Sequence, residues 1–375
     1  SILRITLFIG TLGAGGAERA LVVLSEGLQE KGHDVTILTW INQEEDFYRI
    51  PKNVVHVKAD IPKSVVSTRW YNLVGGLRRL RAIRKAIAKT NPDLVISFLD
   101  GNNELFLLSS VGEQYIKIIS CQNDMSVHPH FNQRWEKLRE IIYIWADKIV
   151  FLDGDQAKDA VLHNHKWSCL GIPNPVVDID LKPDEQAQDI ITEVMGFPIR
   201  LIAMGRLDHQ KGFDLLLTAF KKINEKYPDA LLIILGEGPL REELQRQVQD
   251  LDLNKNVIMP GRLSNPHSVI SRCHVFIFSS RYEGQGLALV EAMACGIAAV
   301  SFNCPSGPSY IIQDQVNGIL VPPEDTEALA DSVIKLLDND EKRFAIAKEA
   351  IHVSEKYSVE NITEEWEKLF QNIKK

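Results

Sequence analysis

The chain has 375 residues, a length that fits two domains better than one. Its apolar content (45%) and charged content (25%) are ordinary for a globular protein, and its net charge of −8 argues against general nucleic-acid binding. The five cysteines form no C-x-x-C pair, so neither a zinc knuckle nor a disulfide framework is indicated. No run approaches the roughly 20 apolar residues that span a bilayer, and no signal-like segment precedes the first strand. We therefore expect a cytoplasmic protein.

Strands and helices alternate along the chain, which is typical of doubly wound α/β sheets. In the first half the predicted strands are 3–9, 34–40, 54–58, 93–98, 116–120 and 148–152, and the predicted helices are 17–31, 70–90, 102–110, 131–146 and 154–164. A second series starts at residue 199, with strands near 231–235, 256–259, 275–278 and 297–301. The pattern predicts two Rossmann-like domains.

The expected domain boundaries follow from a break in this pattern. Pro173 and Pro175 interrupt regular structure, and the polar, acidic segment 178–198 suggests a linker. We predict an N-terminal domain at 1–175 and a second domain at 198–357, facing each other across a cleft. The final segment, 358–375, contains a helix with one apolar face, which could close the second domain or return to the first.

The first strand ends in a glycine-rich turn that contains Gly15 and Gly16 and leads into a helix, an arrangement that can hold a phosphate. Tight helix–strand packing is an equally good explanation. The turn is not G-x-G-x-x-G, lacks the P-loop lysine, and is followed by a second strand that ends in Leu38-Thr39-Trp40 without an acid. Binding of NAD is therefore not expected.

Four strand ends of the second domain carry glycine turns or charged residues. Arg206 and Lys211 flank the loop after the first strand, Gly236 and Arg262 follow the next two, and Glu283 follows the fourth. Glu291 lies in the helix after Glu283. Because the carboxyl ends of parallel strands share one edge of a sheet, these residues predict a nucleotide-diphosphate site, with the cations beside a helix N-terminus.

These motifs together resemble the retaining GT-B glycosyltransferases of family 4, in particular bacterial members that build lipid-linked or surface polysaccharides. The resemblance rests on motifs that span nearly the whole chain in order: Gly15-Gly16-Ala17-Glu18-Arg19, Asn174-Pro175, Gly205-Arg206-Leu207 with Lys211-Gly212, Gly236-Glu-Gly-Pro-Leu-Arg241, Glu283-x7-Glu291-Ala-Met-Ala-Cys-Gly296 and Asn317-Gly-Ile-Leu-Val-Pro-Pro323. It implies transfer of a hexose or N-acetylhexosamine, with retention and without a metal. The donor would be a nucleotide sugar such as a UDP-sugar, and the acceptor a glycan or lipid-linked molecule, for example in lipopolysaccharide assembly.

The resemblance also implies roles for individual residues. Glu283 would face the transferred sugar and Glu291 would hold the ribose, while Arg206 and Lys211 would neutralise the diphosphate in place of a metal. The remaining donor contacts would come from Gly15, Gly16, the backbone of Arg262, Gln285, Gly286, and the backbone of Leu287 and Ala288. Fixed cations suit this reaction, because the leaving nucleoside diphosphate gains negative charge as the glycosidic bond stretches.

The chain departs from the family pattern at two places. Many members carry a histidine where this sequence has Gln122-Asn123, and a glutamate after the Ser-Gly-Pro turn where this sequence has Tyr310. Two other functions stay open: a GT-B-shaped epimerase acting on UDP-sugars, and a non-catalytic module that binds sugar nucleotides. The ordered arginine, lysine and glutamate set favours a transferase over both.

The predicted helix at 70–90 is basic and amphipathic. Its apolar stripe comprises Leu73, Leu77, Leu80, Ile83 and Ile87, and its basic residues are Arg78, Arg79, Arg81, Arg84, Lys85 and Lys89. Such a helix can lie on anionic lipid, which would place the enzyme at the inner face of the cytoplasmic membrane. The alternative is an ordinary sheet-covering helix with a solvated basic face.

Overall fold

Two parallel β-sheets carry the fold, one in each of the two units into which the chain divides. The computed structural model describes residues 2–13, 15–41, 46–59, 61, 73–122 and 133–373. The first unit comprises Ser1–Val176 and Ser358–Lys375, and the second comprises Val177–Tyr357. The predicted fold class, two doubly wound Rossmann-like domains, is confirmed.

The described part of the first unit forms a seven-stranded sheet, ordered β3-β2-β1-β4-β5-β6-β7. Its strands are β1 (Arg4–Ile9), β2 (Asp34–Thr39), β3 (Val55–Lys58), β4 (Leu94–Phe98), β5 (Ile116–Ser120), β6 (Lys148–Phe151) and β7 (Cys169–Gly171). Its helices are α1 (Gly16–Glu30), α2 (Leu73–Lys89), α3 (Asp100–Ser109), α4 (Gln133–Ile142), which a 3₁₀ turn (Tyr143–Trp145) extends, and α5 (Gly154–His163). The strand order reverses between β1 and β4, where ligands bind in open α/β sheets.

Apolar side chains cover both faces of this sheet, as expected for parallel strands. Successive residues of β1 point to opposite faces. Leu7 packs with α1, and Phe8 packs with the layer formed by α2, α3, α4 and α5. Both side chains are fully buried.

The second unit repeats the same strand order in a six-stranded sheet, β10-β9-β8-β11-β12-β13. Its strands are β8 (Ile199–Met204), β9 (Ala230–Leu235), β10 (Val257–Gly261), β11 (Val275–Phe278), β12 (Ala298–Phe302) and β13 (Ile319–Val321). Its helices are α6 (Glu185–Val194), α7 (Phe213–Lys226), α8 (Arg241–Asp250), α9 (His267–Ile270), α10 (Leu287–Ala294), α11 (Pro308–Ile311), α12 (Thr326–Leu337), α13 (Asp340–Ala350) and α14 (Val353–Lys356). Here the order reverses between β8 and β11, so the loops after these two strands are neighbours.

The prediction of a linker over 178–198 is wrong for Glu185–Val194, which forms α6. Asp184 caps this helix by accepting a hydrogen bond from the Ala187 backbone at 2.8 Å. Ala187, Ile190, Ile191 and Val194 are buried. This is the i, i+3, i+4, i+7 spacing of an amphipathic helix, which the acidic composition of the segment masked.

The C-terminal helix, α15 (Val359–Ile373), belongs to the first unit. Trp366 and Phe370 join the apolar core beneath α1. Gly27 allows close approach, since a Cβ at this position would overlap the Thr363 side chain. His33 also hydrogen-bonds Glu367. Residues 374–375 lie outside the described residues.

Two short strands, β7 and β13, are absent from the sequence prediction. Each has three residues, too few to show the alternation by which a strand is recognised. Among the described helices, none is long and apolar enough to cross a bilayer.

Candidate active site

Lys211 is fixed at the carboxyl edge of the second sheet by a short turn after β8. Asp208 accepts a hydrogen bond from the Lys211 backbone at 3.2 Å and so caps the 3₁₀ turn His209–Lys211. Gly212 then adopts a left-handed conformation (φ 61°), and a Cβ there would overlap the Ser279 carbonyl in the loop after β11. Glycine is therefore required at position 212 by both backbone conformation and space.

Lys211 and Glu283 form a short ion pair between the two loops that meet where the strand order reverses. Lys211 Nζ lies 2.5 Å from Glu283 Oε1, and the two side chains are 18% and 6% exposed. Ser280 Oγ donates a second hydrogen bond to the same oxygen at 2.6 Å. The ammonium also lies 5.7 Å from the centre of the Phe278 ring. A desolvated cation and carboxylate are thus held beside each other at the sheet edge.

Glu291 has a different partner. It lies one turn into α10, is 3% exposed, and its Oε2 is 3.1 Å from Nε2 of the equally buried His267 on α9. The orientation of the Glu291 carboxylate is therefore set by its position on α10 and by its contact with His267 on α9.

The start of α10 offers backbone donors at the same edge. Gly286 precedes the helix with φ 89°, and its carbonyl accepts from Leu289 and Val290. The amides of Leu287 and Ala288 occupy the first turn, where a helix provides no i−4 acceptor, so they can serve an anion. Gln285, directly before them, is 7% exposed.

The Ser306-Gly307 turn packs against this loop. Ser306 and Gly307 have positive φ (60° and 88°), and a Cβ on Gly307 would lie 2.6 Å from the Gln285 carbonyl. Tyr310 follows on α11 and is 39% exposed.

The predicted glycine turns after β9 and β10 support the Lys211 loop through the backbone. A Cβ on Gly236 or Gly238 would overlap the carbonyl of Gly205 or Leu207, respectively. Leu207 N donates to Glu237 O at 3.0 Å, and Gly236 N donates to Gly261 O at 2.9 Å. These loops are therefore in direct backbone contact.

Arg241, the last residue of the Gly236–Arg241 motif, ties the same loops together. Its guanidinium binds the Glu237 carboxylate and the carbonyls of Gly236 and Met259. The hydrogen bond from Arg241 lowers the pKa of Glu237 below its usual range. Arg241 thus has a structural part in the site.

Arg206 and Arg262 lie at this edge but extend outward. The Arg206 side chain is 68% exposed, with Nε 3.7 Å from Asp208 Oδ2. Arg262 is also exposed, and its carbonyl accepts a hydrogen bond from Gln186 Nε2 at 3.2 Å. If the Arg262 carbonyl contacts the base of the nucleotide, it does so while it also accepts a hydrogen bond from α6. The sequence did not predict this contact with α6.

Gly15 and Gly16 lie at the start of α1 in the first unit. Gly15 precedes the helix in an extended conformation, and its carbonyl accepts from Tyr48 Oη at 3.2 Å. The Glu18 carboxylate folds over Gly15, where a Cβ would overlap it. An anion approaching these amides would meet that carboxylate, so the site for a phosphate is less open than the glycines alone suggest. Ala14 lies outside the described residues.

The sequence position where many family members have histidine is taken up by an amide pair. Gln122, after β5, donates to Asn174 Oδ1 at 3.3 Å, and Asn174 donates back to Gln122 Oε1 at 2.6 Å. The pair links the ends of β5 and β7 and accounts for the asparagine of the Asn174-Pro175 motif. Asn123 lies outside the described residues.

Sequence reasoning missed several residues of the site. Ser280 precedes Glu283 by three positions in a loop, a spacing that could have indicated a local hydrogen bond. His267 and Asp208 carry no such signal. In the first unit, Asn102 accepts from Trp40 Nε1 at 2.9 Å beside Leu99, a non-glycine residue with φ 75° at the end of β4.

The structure partly corrects the prediction for the basic helix. Ile83 and Ile87 are fully buried in the core, so they cannot contact lipid, and Arg79 is only 4% exposed. Arg79 lies four and eight residues before these isoleucines and shares their face. Burial lowers its pKa. Arg78, Arg81, Arg84, Lys85 and Lys89 are exposed. Residues 70–72 and the Leu73 side chain lie outside the described residues.

Comparisons with known proteins agree with this geometry. Residues 14–175 match the family model Glycosyltransferase Family 4, and residues 191–353 match Glycosyl transferases group 1. A Campylobacter jejuni protein named GalNAc-alpha-(1->4)-GalNAc-alpha-(1->3)-diNAcBac-PP-undecaprenol alpha-1,4-N-acetyl-D-galactosaminyltransferase is 28% identical over 100% of this chain and 99% of its own. The amylovoran biosynthesis glycosyltransferase of Erwinia amylovora is 27% identical over 96% and 97%, respectively.

Solved structures show the same fold. Sucrose-phosphate synthase from Thermosynechococcus elongatus superposes with a TM-score of 0.82 at 19% identity, covering 98% of each chain. The Anabaena protein HepE, in complex with UDP and glucose, superposes with a TM-score of 0.77 at 17% identity, covering 98% of this chain and 99% of its own.

These matches support a glycosyltransferase and not an epimerase. With a family 4 domain followed by a group 1 domain on two Rossmann-like sheets, the chain belongs to the GT-B glycosyltransferases.

Proposed function

We propose that this enzyme transfers a hexose or N-acetylhexosamine from a UDP-sugar to a glycan or lipid-linked acceptor during assembly of a cell-surface polysaccharide. The observation that carries the proposal is the buried Lys211–Glu283 pair at the strand-order reversal, beside the first amides of α10. The relatives support the choice of substrates, since one is named for an undecaprenol-linked acceptor and another for amylovoran, and a structural neighbour holds UDP and glucose.

In the proposed reaction, Lys211 and Arg206 stabilise the departing diphosphate. The leaving group gains negative charge in the transition state, when a fixed cation in a partly desolvated site contributes most. Lys211 is 18% exposed and already held beside Glu283, so little reorganisation is needed. The Leu287 and Ala288 amides supply further donors, and Glu283 faces the positive charge that develops on the sugar.

The stereochemical course that we propose is retention. It follows from the family resemblance alone. Glu283 and Glu291 are not assigned as a glycosidase acid and base pair, so their spacing carries no information on stereochemistry. An α-linked product from an α-linked UDP-sugar, identified by NMR of the new glycosidic bond, is the expected outcome. A β-linked product would contradict this proposal.

We also propose that the two cations take the part that a divalent metal has in other transferases. Turnover should then persist after treatment with EDTA. A loss of turnover that added Mg²⁺ or Mn²⁺ restores would refute this part of the proposal.

The test of the function itself is a donor and acceptor screen. Purified protein is incubated with individual UDP-sugars and an undecaprenyl-diphosphate-linked glycan, and both UDP release and the mass of the glycan are measured. We expect one hexose or N-acetylhexosamine to be added, with turnover strongly reduced but still measurable in Lys211→Gln. Conversion of the donor to its epimer, or binding without turnover of any donor in the panel, would contradict the proposal.

The proposed location is the cytoplasmic face of a membrane. Exposed basic residues of α2 lie on the same side of the first sheet as α4 and the 3₁₀ turn that extends it, where Ile141 and Trp145 are 58% and 45% exposed. Cationic side chains and exposed apolar ones on one side of a domain suit an anionic bilayer surface, where a lipid-linked acceptor would be found.

A further inference from the structure

We propose that Arg281 is a positioning residue that sets the rate of sugar transfer by holding the turn that carries Lys211. The inference rests on the proposed function for its kinetic consequence, and on the geometry of Arg281 for its physical basis. Arg281 lies between β11 and Glu283, and its side chain is 14% exposed.

The Arg281 guanidinium binds the chain on both sides of Lys211. Nη1 donates to the His209 carbonyl at 2.9 Å, two residues before Lys211. Nη1 and Nη2 also bind the Asp214 carboxylate at 2.8 and 2.6 Å, three residues after it. A bidentate arginine–carboxylate pair is directional as well as strong, so this contact fixes both ends of the Lys211 turn.

The Arg281 backbone contributes to the same connection. Arg281 N donates to Gln210 O at 2.8 Å, and Gln210 Nε2 donates to Tyr282 O at 3.1 Å. Ser279 Oγ also donates to Lys211 O at 2.9 Å. The loops after β8 and β11 are therefore joined by several hydrogen bonds. Those from the Arg281 guanidinium span the longest segment, from His209 to Asp214.

The electrostatics agree with a firmly held contact. Arg281 Nε also binds Glu324 at 2.8 Å. Burial raises the pKa of Asp214, but hydrogen bonds and charge attraction from Arg281 outweigh it and leave that pKa below its usual value. Asp214 therefore stays ionised and bound to Arg281 near neutral pH.

This arrangement matters because Lys211 must contact a second partner during the reaction. Before the donor binds, its ammonium pairs with Glu283, and in the transition state it must also meet the charge on the diphosphate. If the main chain at 209–214 is held, only the side chain has to move. If it is not, Lys211 samples positions displaced from the leaving group, and a displacement of about 1 Å can cost roughly 100-fold in rate.

The experiment compares Arg281→Ala, Arg281→Lys and Asp214→Asn with the parent enzyme. We expect Arg281→Ala to lower kcat by about 10- to 100-fold and to change donor KM by a smaller factor, because the position of Lys211 matters most when charge develops on the diphosphate. Arg281→Lys keeps the positive charge but loses the planar guanidinium that binds a carboxylate through two nitrogens. Its kcat should therefore lie between those of Arg281→Ala and the parent enzyme. Asp214→Asn keeps the shape of the partner and should lower kcat in the same direction.

A double variant tests whether the effect passes through Lys211. In a Lys211→Gln background, Arg281→Ala should lower kcat by less than about twofold, because residues that act as one unit are not additive. Full additivity would overturn the proposal, as would a parent-like kcat in Arg281→Ala.

Arg200→Ala is the matched control. Arg200 is a half-buried arginine of the same sheet whose guanidinium also bridges loop carbonyls, those of Phe197 and Arg272, but at the amino edge. It should lower the melting temperature without changing kcat. If Arg200→Ala and Arg281→Ala lowered kcat equally, the effect of Arg281 would be one of general stability.

Hydrogen exchange separates this inference from the proposed function. Arg281→Ala should speed exchange of the backbone amides at 209–214 in the enzyme without substrate, whatever reaction it catalyses. If the parent enzyme turns over no donor, the proposed function fails, and unchanged exchange at 209–214 would independently refute the role of Arg281.

Discussion

His267 Nε2 and Glu291 Oε2 lie 3.1 Å apart, with both side chains buried in the second unit. The contact joins α9 to α10 and fixes one oxygen of the carboxylate that the family resemblance assigns to the ribose. A buried carboxylate with an oriented partner can accept hydrogen bonds from two ribose hydroxyls without first losing side-chain entropy.

Loss of Glu291 should therefore weaken nucleotide binding. We expect Glu291→Gln to raise the UDP dissociation constant by about 10-fold or more, because hydrogen bonds to a charged group contribute roughly 1.5–3 kcal/mol. His267→Gln should have a smaller effect in the same direction, since it alters only the orientation of Glu291. Calorimetric titration with UDP measures both. Parent-like affinity in Glu291→Gln would rule out its contact with the ribose.

Lys211 and Arg206 should contribute to nucleotide binding in different ways. Lys211→Gln should weaken UDP binding by about 10- to 150-fold at any moderate salt concentration, because the ammonium is largely shielded from water. Arg206→Gln should weaken it less and mainly at low salt, since its side chain is 68% exposed and open to screening.

Lys222→Gln is the matched control for these two variants. Lys222 is a lysine of the same unit paired with Glu327 and Asp331 on the surface, between α7 and α12. It should bind UDP as the parent does. If neither Lys211→Gln nor Arg206→Gln affected the affinity, the diphosphate site would have been assigned to the wrong edge of the sheet.

The two glutamates should separate in kinetics. Glu283→Gln should lower kcat strongly while leaving UDP affinity within about threefold, because its carboxylate is assigned to the transferred sugar and not to the nucleotide. Glutamine keeps a hydrogen-bond acceptor for Ser280 and Lys211, which limits the structural disturbance. Steady-state kinetics with the identified donor provide the measurement, and a parent-like kcat would show that Glu283 has no part in the chemistry.

The sequence identified the edge of the sheet but not the contacts made there. Apolar runs mark the strands, and parallel strands place their ends together, so the residues after β8 and β11 could be assigned to one site. Lys211 and Glu283 are 72 residues apart, and only the strand order brings their loops side by side. His267 gave no signal because it lies on a four-residue helix, too short for a periodic pattern.

The basic helix α2 shows the opposite case, because the pattern that marks its buried arginine is present in the sequence. The spacing of Arg79, Ile83 and Ile87 places the arginine on the buried face, and its burial was predictable from helical geometry. The composition of the helix, without its spacing, would place Arg79 among the surface cations. The position of the Glu18 carboxylate over Gly15 could not be predicted from the sequence, because it depends on the conformation of one side chain.

Membrane binding should depend on the exposed cations of α2 and not on Ile83 and Ile87, which are buried. We expect the substitution of Arg78, Arg81 and Lys85 by Gln to weaken binding to vesicles with 30% anionic lipid by roughly 100-fold, since each such cation contributes about 1 kcal/mol near an anionic surface. The parent should lose binding as salt rises, because screening shortens the reach of exposed charges. Vesicle co-sedimentation at low and high salt provides the measurement.

A matched triple variant separates local contact from net charge. Replacing Lys335, Lys342 and Lys348 by Gln removes the same charge from exposed helix positions of the second unit. This variant should bind vesicles as the parent does if α2 makes the contact. Transfer to a water-soluble acceptor analogue should be unchanged in the α2 variant, because its three residues lie on the outer surface of a helix that covers the first sheet. Equal vesicle binding by the α2 variant and the parent at low salt would show that water, not lipid, covers the basic face.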